Sequence, residues 1–105
     1  MTACGFEDID ASFDAPFDVV INATSASLSA SMPPVPAVAF SQDTLALDMM
    51  YGKMPSPFML FAASHGAATR DGLGMLVEQA AEAFAIWRGV RPETATILEQ
   101  MRTQL

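Results

Sequence analysis

The run Asp71-Gly72-Leu73-Gly74-Met75-Leu76-Val77-Glu78-Gln79-Ala80-Ala81 constrains the fold of this chain more than any other stretch. Two glycines open it, and strong helix formers continue through Phe84 and Trp87 to Arg88. At about 100° per residue, Leu73, Leu76, Val77, Ala80, Phe84 and Trp87 fall on one face, which predicts a long helix with a wide buried stripe. Glu78 and Glu82 lie opposite, and Gln79 stands at the margin of the stripe, about 60° from Leu76. With no side chains at Gly72 and Gly74, the backbone at the helix start is uncovered and its N–H groups can meet a ligand. The same residues also fit an ordinary glycine-rich loop leading into a packing helix.

Strands precede that helix. In Phe17–Asn22 the β-branched run Val19-Val20-Ile21 is continuous rather than alternating, as in a strand covered on both faces, and so predicts a parallel sheet. Asn22-Ala23-Thr24-Ser25 then lies beyond the strand's carboxyl end, where open α/β sheets bind ligands. Asn22 and Thr24 serve equally well as turn formers bonded to their own backbone. Residues 26–36 read as a surface loop, because Pro33, Pro34 and Pro36 deny it a regular helix. Val38–Phe40 forms a brief turn, and Thr44–Met50 a second strand with Leu45, Ala46 and Leu47 buried and Asp48 at its end. Ser56 caps a short helix that starts at Pro57 and runs to Ser64, with Met59, Leu60 and Ala63 for packing, until Gly66 stops it. Ala67–Arg70 is a third strand. Gly89 ends the long helix, and a last one, Thr94–Gln104, carries the seam Ile97, Leu98 and Met101. His65 is explained by the dipole at a helix C-terminus and Lys53 as a solvated loop cation. Residues 1–5 are expected as a short strand and Phe6–Asp14 as an acidic stretch with one helical turn.

Composition narrows the functional classes. A chain of 105 residues is one small domain, and its 51% hydrophobic content excludes disorder by composition. The net charge is −7, and no Lys or Arg precedes Lys53, which argues against nucleic-acid backbones and anionic membranes. The acidic leading residues lack the alternating oxygens, turn glycine and closing Glu of a calcium loop. Cys4 is the sole cysteine and cannot pair within the chain, so it is read as an inert thiol in a reducing cytoplasm. Acidic residues follow Met1 too soon for a signal peptide, and no apolar run is long enough to span a bilayer.

These elements predict an α/β fold: the C-terminal half of a doubly wound, Rossmann-like parallel sheet with flanking helices and a C-terminal helical extension. The only G-x-G is Gly72-Leu73-Gly74, without the third glycine or the downstream acid of a dinucleotide fingerprint.

Three blocks, in order, carry a family likeness: Phe17-Asp18-Val19-Val20-Ile21-Asn22-Ala23-Thr24-Ser25, then Asp48-Met49-Met50-Tyr51-Gly52-Lys53 with Ser56-Pro57-Phe58, then the run from Asp71 to Pro92. Together they resemble the signatures of the shikimate dehydrogenases and cover most of residues 17–92. Two departures are Ser27, where a glycine is usual, and Ser56, where threonine is commoner. The resemblance implies an NADP-dependent oxidoreductase that interconverts 3-dehydroshikimate and shikimate in aromatic amino-acid biosynthesis. By that resemblance Met49 and Gly72 touch the nicotinamide side, Asn22, Ala23 and Thr24 the adenosine side, and Tyr51 and Gln79 the substrate. A phenol and an amide suit a polyhydroxylated carboxylate ring, since each gives directed hydrogen bonds without a trapping charge.

The family's glycine-rich pyrophosphate turn and its catalytic Lys–Asp pair fall in parts with no counterpart among these 105 residues. Residues 1–16 then correspond to a remnant of the cofactor domain, and 17–105 to its C-terminal half with the final helices. No catalytic residue and no metal ligand is assigned. The chain alone is expected to be inactive and to self-associate. The competing reading is a stand-alone, non-catalytic α/β module that dimerises or binds without turning over.

Overall fold

Three short parallel strands form the sheet: β1 (Val19–Asn22), β2 (Leu45–Asp48) and β3 (Ala68–Arg70), in the order β1-β2-β3. A computed structural model describes residues 3–9, 15–29 and 31–105 of the chain. The register pairs Val19 with Leu45 and Asn22 with Asp48, then Leu45 with Ala68 and Leu47 with Arg70. All three strands therefore point the same way, and their carboxyl ends lie side by side.

Both predicted strands are shorter than their apolar patterns. Phe17 donates its N–H to Ala39 O at 3.0 Å, and Thr44 Oγ1 donates to Phe17 O at 2.6 Å. These bonds tie residue 17 to the connection before β2 and to a buried side chain, and pairing starts at Val19. Burial also departs from the continuous-run expectation. Ala46 is fully buried, but Leu45 is half-exposed and Leu47 only partly covered. Val19 and Ile21, on the edge strand, are 53% and 55% exposed.

The connection from β1 to β2 contains no α-helix among the described residues. It uses 3-10 turns at Ala26–Ser29 and Ala37–Ala39, as its prolines require. The second crossover is helical. In α1 (Pro57–Ser64), Pro57 takes the first helical position and Ser56 Oγ accepts the Met59 N–H. Helix α1 packs on β2 and β3. Its buried residues are Phe58 and Ala62; of the expected packing set Met59 packs against the core, while Leu60 and Ala63 face outward. Phe58 and Phe61 each meet Phe40 edge-on at 5.8 Å, so the aromatic pair at i and i+3 outcompetes Leu60 for the core. Around them lie Ala39, Ala46, Ala62 and Ala67, with Phe17, Val20, Val35 and Met59 at the margin.

Helix α2 (Leu73–Arg88) ends as predicted at Gly89, whose φ of 75° is left-handed backbone that favours glycine. Its stripe is buried only at the start. Leu73 and Val77 are covered and Leu76 partly so, whereas Ala80 is exposed with Ala81 buried in its place, and Phe84 is 46% and Trp87 79% exposed. The reason is length. A 16-residue helix is about 24 Å long, while strands of three or four residues span about 10–13 Å, so the second half of α2 runs past the sheet. The last helix, α3 (Ala95–Thr103), packs back against α2. Ala3–Gly5 form no strand, which corrects the reading of residues 1–5; Met1 and Thr2 lie outside the described residues. Phe6–Asp8 makes one 3-10 turn, and residues 10–14 of the acidic stretch also lie outside. No helix among the described residues is long and apolar enough to cross a membrane.

Candidate functional site

A buried carboxylate links the loops beyond the strands. Asp48, at the end of β2, has no solvent exposure. Its Oδ2 accepts from Asn22 Nδ2 at 3.2 Å and from Ser56 Oγ at 2.6 Å, and its Oδ1 accepts the Met50 N–H at 3.0 Å. One side chain thus joins the end of β1, the loop after β2 and the cap of α1. Asn22 extends the chain of bonds, its Oδ1 accepting from both the N–H and the Oγ1 of Thr24, at 3.1 and 2.7 Å. The turn-forming role of Asn22 and Thr24 is therefore real, and the turn is anchored to Asp48. The sequence reading placed Asp48 only as a strand end. The signal was there, in an acid closing an apolar strand eight residues before a Ser-Pro cap.

The second joint is the start of α2. Met49 N–H pairs with Asn22 O at 3.0 Å, and Gly72 N–H with Met50 O at 2.9 Å. A Cβ on Gly72 would lie 1.9 Å from Met49 O, so no side chain fits there. Glycine is required by this close approach, since its φ of −81° is ordinary. The first two amides of the turn are not free as expected. Gly72 N–H is taken by Met50, and Leu73 N–H goes to Asp71 Oδ1 at 3.2 Å.

Beside this joint runs a groove of about 320 Å³ lined by Met50, Tyr51, Gly52, Ser56 and Asp71 among others. Tyr51 is 43% exposed at its wall, and Met49 presents a half-exposed thioether. Asn22, Ala23, Thr24, Met49, Tyr51 and Gly72 are therefore gathered at one end of the sheet. Gln79 stands apart, exposed on α2 with its Nε2 bonded to Leu76 O at 3.0 Å, and it does not line this groove.

Arg102 of α3 reaches Asp71 in a two-pronged ion pair, one N–H bond measuring 2.8 Å. Its hydrogen bond, helped by the Leu73 N–H, holds the Asp71 carboxyl below the ordinary aspartate range against the opposing effect of burial. His65 caps α1 as expected. Its Nδ1 lies 2.9 Å from Phe61 O and its ring packs against Phe61. Lys53 is exposed, Cys4 is an exposed free thiol, and no cluster among the described residues could hold a metal.

Comparison with known proteins fits this arrangement. The family model for the shikimate 5'-dehydrogenase C-terminal domain matches residues 72–102. A shikimate dehydrogenase (NADP(+)) of Herminiimonas arsenicoxydans is 61% identical over 100 residues, covering 95% of this chain and 35% of its own length. An Ael1 enzyme from Pseudomonas putida superposes with a TM-score of 0.79 at 49% identity, over 90% of this chain and 34% of that one. The shikimate 5-dehydrogenase of Thermus thermophilus, solved with NADP(H) and shikimate, superposes with a TM-score of 0.72 at 31% identity, over 84% of this chain and 34% of its own. The sheet and helices are thus those of a Rossmann-like α/β fold, and the chain spans 35% of the length of that first relative.

Proposed function

We propose, from the premise that this chain carries the C-terminal portion of the shikimate dehydrogenase family, that it supplies the nicotinamide side and one wall of the substrate pocket of an NADP-dependent enzyme interconverting 3-dehydroshikimate and shikimate. The carrying observation is the joint between Met49 and Gly72 at the carboxyl end of the sheet, whose chain neighbours Met50 and Asp71 line the groove together with Tyr51. The Gly72 backbone is covered by the Met49 carbonyl, and the part-exposed Met49 side chain offers a flat ring a soft apolar surface. The reduced cofactor, NADPH, would supply the hydride to 3-dehydroshikimate, and NADP+ would accept it from shikimate in the reverse direction. The chain's own residues orient. Gly72 and Met49 receive the nicotinamide, the Asn22-Ala23-Thr24 turn meets the adenosine side, Tyr51 hydrogen-bonds the substrate from the groove wall, and Gln79, outside that groove, does so from the exposed flank of α2 after releasing Leu76 O. Proton transfer needs a positioned acid, and none of these residues is assigned that role. The chain alone is therefore inactive, a cytoplasmic enzyme's cofactor-domain half (17–105) preceded by a short remnant (1–16).

The test is a chimera in which this chain replaces the matching C-terminal part of the Herminiimonas enzyme. Gln79→Ala should raise KM for shikimate about 2- to 12-fold, the equivalent of one neutral hydrogen bond. KM for NADP should stay near its original value. Equal losses for both ligands would instead place Gln79 in helix packing and remove it from the pocket.

A further inference from the structure

Three of the five cations in this acidic chain, Lys53, Arg70 and Arg102, line one open groove of about 280 Å³ that runs from the Tyr51 loop past the end of β3. Asp71 is the only acid on its wall among the described residues. Arg102 is bound to that Asp71 through both terminal nitrogens. The three ion pairs among the described residues do not include Lys53 or Arg70. Arg70 uses one N–H on its neighbour's carbonyl, Thr69 O at 2.7 Å, which holds the guanidinium by the groove and leaves its other donors available. So two cations without acidic partners among the described residues face the same space, and a third stands beside them with its orientation fixed by Asp71.

We propose that this groove, which adjoins the pocket at Tyr51 and shares Gly52, Met54, Pro55, Met59 and Asp71 with it, is a binding site for a phosphoryl dianion. Two uncompensated positive charges match a dianion. A planar guanidinium offers paired N–H donors to tetrahedral oxygens, while the Lys53 ammonium acts as a point charge. The surrounding charge sharpens the argument. On a chain of net charge −7, anions are repelled almost everywhere, and this groove is where the local sign reverses. The site does not depend on the dehydrogenase reading, because none of its three cations is assigned to cofactor or substrate there.

The experiment uses the full chain in low-salt buffer, where screening is weak. Inorganic phosphate and glycerol 3-phosphate are titrated separately while backbone amide resonances are followed, with sodium chloride at matched ionic strength as the control. Saturable shifts at Gly52, Lys53, Arg70 and Asp71 are expected with phosphate, and not with chloride. Response to both phosphates assigns the site to a phosphoryl group on a larger ligand; response to inorganic phosphate alone assigns it to the free ion. The variant Lys53→Gln/Arg70→Gln, altered only at exposed side chains and checked for an unchanged circular dichroism spectrum, should bind at least about tenfold more weakly. Non-saturating shifts, an equal response to chloride, or undiminished binding by the double variant would overturn the proposal.

Discussion

Asp48 is the residue on which the site's geometry converges, because the end of β1, the loop after β2 and the cap of α1 all bond to its two oxygens. Replacing it with Asn keeps the shape but turns one oxygen into a donor facing Asn22, Ser56 or Met50. Each lost bond to a charged acceptor is worth about 1.5–3 kcal/mol, so urea unfolding of Asp48→Asn should show at least that loss. A stability within about 0.5 kcal/mol of wild type would mean that the network is not closed as described. The glycines give a paired prediction. Gly72→Ala must push Met49 away from its carbonyl contact and should cost about 1–3 kcal/mol. Gly74 has open space where its Cβ would go, so Gly74→Ala should be neutral or stabilise by up to about 1 kcal/mol through helix propensity. Matching thermal shifts for the two would contradict the contact. Gly72 shows how far sequence alone reached. The pattern flagged an uncovered backbone, but the reason for the glycine, a carbonyl from residue 49, is a tertiary contact that no local pattern encodes. An acid closing an apolar strand marks Asp48 itself, but its bonds are tertiary in the same way, since partners lie 26 positions before it and eight after.

Elements were legible where their signals are local. The Ser-Pro start of α1, the glycine stop of α2 and the parallel pairing of the strands all follow from rules confined to a few residues. Burial was not, because it depends on what lies opposite. The apolar stripe of α2 is present in the sequence, yet the sheet is too short to cover its second half. Helix α3 compensates in part, being held to the start of α2 by Arg102 and Asp71 and, through the preceding turn, by Arg91 with Glu78 and Glu82. The exposed Arg91 pairs contribute little singly, about 0.2–1 kcal/mol; Asp71 is mostly covered, so Arg102→Ala should cost more, about 1–2 kcal/mol. Its pH signature is more specific. Since Arg102 lowers the pKa of Asp71, the attachment is fully present above the ordinary aspartate value of about 3.9 and is lost as pH falls through the lower, folded-state value. The side-chain resonances of Leu98 and Met101 should therefore hold steady from neutral pH to about pH 5 and change only in stronger acid. In Arg102→Ala that late acid transition should shift up toward the ordinary range. An unchanged transition would detach α3 from Asp71.

At the scale of the whole molecule, the sheet ends on β1 with Val19 and Ile21 half-exposed. Trp87, Ile86 and Val90 add a second apolar surface at the far end of α2, exposed by 79%, 73% and 65%. An open apolar edge with unpaired backbone groups is a template for another chain. The isolated chain is accordingly expected to self-associate, most simply as a two-fold dimer, with a light-scattering mass that rises with concentration; a monomer at high concentration would contradict this. Those open surfaces agree with a chain that spans 35% of the length of its relative from Herminiimonas. The most direct measurement is NADPH consumption with 3-dehydroshikimate, compared between the isolated chain and its chimera with the remaining part of the Herminiimonas enzyme. The account predicts no turnover above the uncatalysed blank for the chain alone and substrate-dependent turnover for the chimera. Turnover by the isolated chain, or a folded chimera without activity, would contradict it.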